Sequence, residues 1–377
     1  MSFRQFWAIT VKEIRYILRD KSTLFTVLIS PALTLFIMAY AMTVDIKNVP
    51  ITILDYDRSA ISTEFIQKLL AGDDLILYNQ ASSMQEVEDL LQNGKVKAAI
   101  ILDPSFGEDI QLLNGLPIQI LIDGTEPQSG GFALNHIAKR TEDYISDLLQ
   151  TQFSEYQITE EMLNPIDLRV RTWFNPSLKP RVDMIPGLIS LVLGFPALSV
   201  ALTLAHEHEH GTMEQLMTTP IGRFELLLGK IVPYIFIGMI NSIAIPIIAI
   251  LWFKIPFNGS FIVFFLLSII FLFSVMSMGI VIGVFFKTQA SGLAISFLLI
   301  FFPGFFLTGI FFPIISMPDI VRLESMMLPG THYAIITRGV FLTGVGFSEL
   351  WPFALMLFGL GVAFIGIASL FFRKKLG

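Results

Sequence analysis

The sequence predicts an α-helical polytopic membrane protein with six transmembrane helices and an inserted extracytoplasmic α/β domain. Three observations carry this. Of 377 residues, 54% are hydrophobic and 15% charged, with a mean hydropathy of +0.69; soluble proteins are about 25% charged. The apolar residues gather in runs of roughly 20, the length that crosses a bilayer. Between the first two runs, residues 45–182 are polar, with 21 acidic and 11 basic side chains, a balance of −10, while the remainder carries +4. An acidic insert on a mildly basic membrane part is not a nucleic-acid-binding profile. With no cysteine in the chain, disulfides and thiolate metal sites are excluded.

In chain order, residues 1–23 predict a cytoplasmic interfacial helix. Phe3, Phe6, Trp7, Val11, Ile14 and Leu18 recur at helical spacing, interleaved with Arg4, Lys12, Arg15, Arg19 and Lys21. This suits a helix lying on an anionic membrane, or equally the basic flank of a first span. A cleaved signal peptide does not fit, because the apolar run that follows is too long and lacks a small-residue cleavage site. Residues 24–44 are the first span, with Pro31 as a tolerated kink. In 45–182, stretches rich in Ile, Val and Leu at 51–57, 75–78, 96–102 and 118–123 read as strands. Helices at 62–71, 84–92 and 106–113 alternate with them, stopped by Gly72, Gly94 and Gly115. A longer helix over 131–156 and a last strand over 167–173 complete an α/β domain with a mixed sheet. Asp55, Asp57, Asp103 and Asp123 sit near strand ends without a histidine, nucleophile or glycine-rich loop, and read as turn residues.

Residues 183–377 hold spans two to six, at 183–205, 229–253, 261–286, 290–312 and 350–372. The fourth contains Gly279-x-x-x-Gly283, spaced for close helix packing. Basic residues precede the first span, and Arg373-Lys374-Lys375 follow the sixth. An even number of spans then places both termini in the cytoplasm and the insert outside.

Residues 205–228 are the polar interruption of the second half. Glu207, Glu209, Glu214 and three histidines crowd its start, Gly211-Thr212 breaks the pattern, and Thr219-Pro220 stops a short helix over 213–217. A second short helix over 223–228 leads into the third span. Such an elbow is a surface for a partner outside the membrane. The order Glu207-x-Glu209-x-Gly211-Thr212-x-Glu214-x-Leu216, then Thr219-Pro220, Glu225, Gly229-Lys230 and Pro233-Tyr234, resembles ABC-2 type transporter permeases, type V exporter-like proteins, in the multidrug-export branch with a large extracytoplasmic domain. Lys12-Glu13 and Arg19-Asp20 match that family's N-terminal pattern. The resemblance covers nearly the whole chain. It implies that the elbow and Lys12-Glu13 couple to a cytoplasmic ABC ATPase, which carries the ATP and Mg. It also implies a second permease subunit, homologous or identical, and a bacterial inner-membrane location. A periplasmic adaptor could meet the outer domain.

Between the fifth and sixth spans, Pro303-Gly304, Gly309, Phe312-Pro313 and Met317-Pro318 interrupt the apolar run. Over 303–349 the resemblance implies short helices dipping into the membrane as an outer gate, with Pro303, Gly304, Phe305, Phe306, Phe311, Pro313, Pro329 and Tyr333 lining the pathway. An interfacial loop with aromatic anchors is the plainer reading.

Two other functions are weighed. His206-Glu207-His208-Glu209-His210 matches the H-E-x-x-H zinc-protease pattern, but Gly211 follows at once, and His136 and His332 fall on the other side of the predicted membrane. A receptor or anchor with a ligand-binding outer domain would not need six spans. No Walker A sequence is present: after Gly229-Lys230, Ile231 stands where Ser or Thr belongs. The expected role is therefore an exporter's membrane subunit without a cofactor or metal of its own. Its thirty-five phenylalanines suit an apolar or amphipathic cargo, or plain membrane filling.

Overall fold

The computed structural model describes residues 3–42, 48–112, 117–154, 174–175, 180–213 and 221–372. They fall into two compact units: an inserted domain drawn from 45–170, and a membrane unit built from the two ends of the chain.

The inserted domain alternates strand and helix as its residue pattern demands: β1 (Val49–Asp55), α3 (Ala60–Leu69), β2 (Leu75–Gln80), α4 (Met84–Gln92), β3 (Ala98–Leu102), α5 (Phe106–Gln111), β4 (Ile118–Ile122) and α6 (Pro127–Ser154). The sheet order is β2-β1-β3-β4, with β2, β1 and β3 parallel and β4 antiparallel to β3. The predicted mixed sheet is thus present; its expected last strand, at 167–173, lies outside the described residues. Gly72 and Gly94 end helices at φ +129° and +65°, as their freedom in the left-handed region allows. One sheet face buries Ile51, Ile53, Ala98 and Ile100 under Phe65 and Phe106; the other packs Leu54, Ala99 and Ile101 against Val87 of α4. Asp55 is a turn residue, accepting the N–H groups of Asp57 (3.0 Å) and Arg58 (2.9 Å) and the Ser62 hydroxyl. Asp123 accepts the Thr125 N–H at 2.9 Å and its hydroxyl at 2.6 Å, and pairs with Lys97 at 3.1 Å.

The membrane unit starts with α1 (Phe3–Arg19), ended by Asp20, whose carboxylate caps the next helix through the N–H groups of Ser22 and Thr23. Six helices of the described residues are long and apolar enough to cross a membrane: α2 (Lys21–Ala41), α7 and α8 together (Pro180–Glu209), α9 (Arg223–Leu251), α10 (Phe261–Phe285), α11 (Gln289–Phe306) and α14 (Phe347–Phe371). The second span is more enclosed than the others. Apolar stripes left exposed, such as Leu355, Phe358 and Val362 on α14, are faces for lipid. The fourth span packs tightly against the second and sixth. A Cβ on Gly279 would meet the Ala197 carbonyl at 2.4 Å, one on Gly283 the Leu204 Cβ at 2.8 Å, and one on Gly361 the Phe273 ring at 2.6 Å.

Several boundaries differ from expectation for identifiable reasons. The second span starts at Pro180 rather than 183, since a first-turn proline needs no donor. It divides into α7 (Pro180–Val192) and α8 (Pro196–Glu209) at Pro196, so the predicted elbow residues Ala205 to Glu209 are its last turn. The short helix expected over 223–228 is continuous with the third span, because Glu225 caps it by accepting the Gly222 N–H at 2.8 Å. The fifth span ends at Phe306 rather than 312, and the chain turns at Gly309, φ +80°. Beyond it lie α12 (Asp319–Met327) and α13 (Pro329–Arg338). Arg338 binds this region to the start of the second span, donating to Gly309 O at 2.8 Å and to Asp183 Oδ2 at 2.9 Å.

Candidate coupling site

Four charged side chains from three elements meet where α1 crosses the second and third spans. On α1, Ile9, Glu13 and Ile17 share one face by their i, i+4, i+8 spacing, and all are buried. That face approaches α9 at Gly229, where an added Cβ would stand 2.9 Å from the Ile9 side chain. The next residue, Lys230, points its ammonium between two carboxylates, 2.6 Å from Glu13 Oε1 and 2.7 Å from Glu207 Oε2. Lys12 closes the network at 2.5 Å from Glu207 Oε1. Glu13 and Lys230 are 1% exposed and Glu207 is 5%, whereas 47% of the Lys12 side chain is open.

Desolvation makes such a network costly to form and more costly to break. Removing one partner of a buried pair strands an uncompensated charge, at about 3–5 kcal/mol. The four residues therefore tie α1, the end of α8 and the start of α9 into one body. A turn deeper in the spans, Thr203 and Tyr234 share a 2.6 Å hydrogen bond. Beside the network, burial raises the Tyr16 phenol, helped by the negative charges of Asp20 and Glu13. Asp20 is held low, chiefly by the Thr23 hydroxyl.

The predicted coupling residues thus have different situations. Lys12, Glu13 and Glu207 belong to the network, and Glu13 and Glu207 are buried within this chain. Glu209 is exposed, but accepts the Gln289 N–H (3.0 Å) and side-chain amide (3.1 Å), capping the fifth span. Gly211 breaks the helix at φ +70°, and the Thr212 hydroxyl donates back to Glu207 O at 3.3 Å. Glu214, Leu216, Thr219 and Pro220 lie outside the described residues. Lys230 was missed as a site residue, although a lysine within an apolar run is a functional signal in itself. His206 and His210 stack with ring centroids 4.0 Å apart, and His206 lies 5.9 Å from Tyr16. Among the described residues no third ligand joins them to hold a metal.

The predicted gate residues are mostly packed. Tyr333 is fully buried, its hydroxyl 2.6 Å from Ser268 and its ring stacked on Phe271 at 4.0 Å. Pro303 and Gly304 are buried, Phe305 lies against Phe311, and Phe306 and Pro313 are exposed. Gly304 and Pro329, with Leu191, Gly194 and Phe195 from the break in the second span, line a cavity of about 30 Å³. That is room for about one water, well short of the roughly 300–1,000 Å³ of a small-molecule site.

The six candidate spans and the inserted domain define a multi-pass membrane protein, one whose N-terminal helix is fastened to two spans by buried charge. Compared with known families, residues 21–370 match the ABC-2 family transporter protein model. Over its full length the chain is 30% identical to the "Probable multidrug ABC transporter permease YbhS" of Escherichia coli (strain K12), covering 98% of that protein. It is 24% identical to YbhR, a protein of the same description, over 99% of both chains. It is also 27% identical to the "Inner membrane transport permease YhhJ" of the same strain over 99% of this chain and 98% of that one. The chain belongs to the ABC-2 family of transporter proteins. It is a permease subunit and not an enzyme; in this family ATP hydrolysis resides in a separate ATPase partner.

Proposed function

We propose that the chain is the permease half of a multidrug-type ABC exporter, moving apolar or amphipathic molecules, drug or lipid-like, out of the cytoplasm or inner membrane. The relatives' names and the phenylalanine-rich spans support the cargo class. Both termini and the 205–228 elbow face the cytoplasm, where the ATPase with its ATP and Mg grips the elbow and α1. A second permease, identical or homologous, completes the pathway, and 303–349 forms its outer gate. The cavity beside Gly304 and Pro329 is too small for cargo, so transport requires the second span to move against the fifth or a partner subunit to complete the site.

One observation carries this reading: Lys230 with its two buried carboxylates. A push by the ATPase on α1 or the elbow reaches the second and third spans together, because no member can shift alone without stranding a charge. The test uses vesicles holding the permease with its cognate ATPase. Glu207→Gln should lower both transport and cargo-stimulated ATP hydrolysis at least tenfold. Tenfold is about 1.4 kcal/mol, less than the roughly 2–5 kcal/mol expected for truncating a desolvated charge pair. The ATPase alone should keep its basal rate. Wild-type transport and stimulation in well-inserted Glu207→Gln protein would refute the coupling role.

A further inference from the structure

We propose that the β2 edge of the inserted domain is a docking site for an extended, basic segment of a partner protein, added as a further strand. The sheet order leaves β2 terminal, paired to β1 on one side and to no described strand on the other. Protective edges usually carry charge or proline. β2 reads Leu-Ile-Leu-Tyr-Asn-Gln, with neither, and Ile76 and Tyr78 are each 51% exposed. Beside this edge runs a cleft of about 520 Å³ between β2 and α3. Ile66, Leu70 and Leu77 line it with Gln67 and Gln80. Its two charged lining residues, Asp55 and Arg58, are of opposite sign, so the segment's flanks and not the cleft itself carry the charge preference. Along α3 and its C-cap, Thr63, Ile66, Gln67 and Leu70 form one continuous stripe, while Phe65 packs on Tyr144 of α6 and Lys68 pairs with Asp147 there. The helix is therefore held from behind and keeps the cleft open in front.

A helix set alongside an open strand edge leaves a slot for an extended chain. Main-chain bonds to the edge supply affinity, and a pocket for alternate side chains supplies selectivity. A bulge at Tyr78, where the pairing steps from Ile51↔Leu77 to Thr52↔Asn79, interrupts the ladder, so side chains seated in the cleft carry much of the selectivity. Charge decides the occupant's flanks. Residues 45–182 carry a surplus of −10, and Glu86 is held by the N–H and hydroxyl of the cleft-lining Ser82, each at 2.8 Å. A segment with apolar residues at alternate positions and Lys or Arg at its ends is the complement. In the exporter reading this segment belongs to a soluble partner outside the membrane. Binding by the purified full chain tests the groove independently of that reading.

The probe is a phage-displayed random decapeptide library, panned on the full chain in lipid nanodiscs. The expected winners alternate apolar and polar residues between basic ends and bind at least tenfold more weakly at high salt. Gln67→Trp, which fills the cleft from the exposed side of α3, and Ile76→Lys should each weaken capture at least tenfold. Gln67→Ala should not, and thermal melts should show all three variants folded. No enrichment, winners without the alternating basic pattern, or equal capture by Gln67→Trp would overturn the proposal. So would a high-yield disulfide homodimer of the Tyr78→Cys variant, since it would assign the edge to a second copy of this chain.

Discussion

A lysine inside an apolar span is tolerated because Glu13 and Glu207 neutralise it at 2.6 and 2.7 Å. Lys230→Met removes the only cation beside Glu13 in that network and should destabilise the membrane unit by about 3–5 kcal/mol. Lys12→Met, at a side chain that is nearly half open, should cost about 1 kcal/mol or less. Chemical denaturation of both variants in one detergent checks the ranking; equal losses would mean the buried pair has no special weight. Asp123, buried in the inserted domain, shows the opposite arrangement, a carboxylate held by hydrogen bonds from its own turn. The Thr125 hydroxyl and N–H, and then Lys97, lower its carboxyl from 3.8 to about 2. A carboxyl held lower in the folded state contributes stability above its unfolded pKa and loses it as pH falls toward the folded one. The contribution should be complete above about pH 4 and fade toward pH 2. Asp123→Asn should therefore flatten the loss of amide-exchange protection in β3 and β4 over that window, measured on the full chain; an unchanged acid profile would remove Asp123 from the account.

At the scale of elements, the sequence was least legible where one helix answers another. Pro31 reads as a kink, and the first span does depart from α geometry, with a π-helical segment at Phe25–Ile29 just ahead of it. A proline gives no N–H to the carbonyl four residues back, here Val27. The Asn241 amide of the third span supplies the missing donor at 2.7 Å. That pairing joins residues 214 apart in sequence, and no local pattern announces it. Asn241→Leu should cost about 1–3 kcal/mol, the penalty of a buried acceptor left without a partner. Pro31→Ala returns a local N–H, so the same Asn241→Leu change in that background should cost much less. A double-mutant cycle of unfolding midpoints reads the difference, and strict additivity would show that Asn241 does not answer the proline. Gly229 misled in the same way. It reads as a boundary between a short helix and the third span, yet α9 runs through it, and its missing side chain makes room for Ile9. A glycine that ends a helix and one that lets a neighbour approach look identical in one sequence.

For the molecule as a whole, composition and periodicity were enough for the six spans, the inserted mixed-sheet domain and the Gly279/Gly283 contact, because each follows from local pattern. The elbow's signature was legible too, but not the burial of Glu207, which depends on α1 folding back over two spans. Sidedness also rests on charge. The end of the membrane unit holding α1 gathers Arg4, Arg15, Arg19 and Lys21, side chains left exposed there. Arg338 and Arg322, in the α12–α13 region, are instead engaged by Asp183 at 2.9 Å and Asp319 at 3.5 Å. Counted as Lys and Arg near the span ends, this bias predicts, by the positive-inside rule, that α1 lies in the cytoplasm and the inserted domain outside. The absence of natural cysteine makes this measurable with single introduced thiols. Gln92→Cys, at the exposed end of α4, should react with a membrane-impermeant maleimide in intact cells. Thr288→Cys, exposed between the fourth and fifth spans, should react only after the membrane is opened. Because the two sites lie in different units, they fail separately. Labelling of Thr288→Cys in intact cells would invert the membrane unit and remove the elbow from the reach of a cytoplasmic ATPase. Protection of Gln92→Cys alone would instead place the inserted domain on the inner side or behind a partner, and an adaptor-free preparation separates those two outcomes.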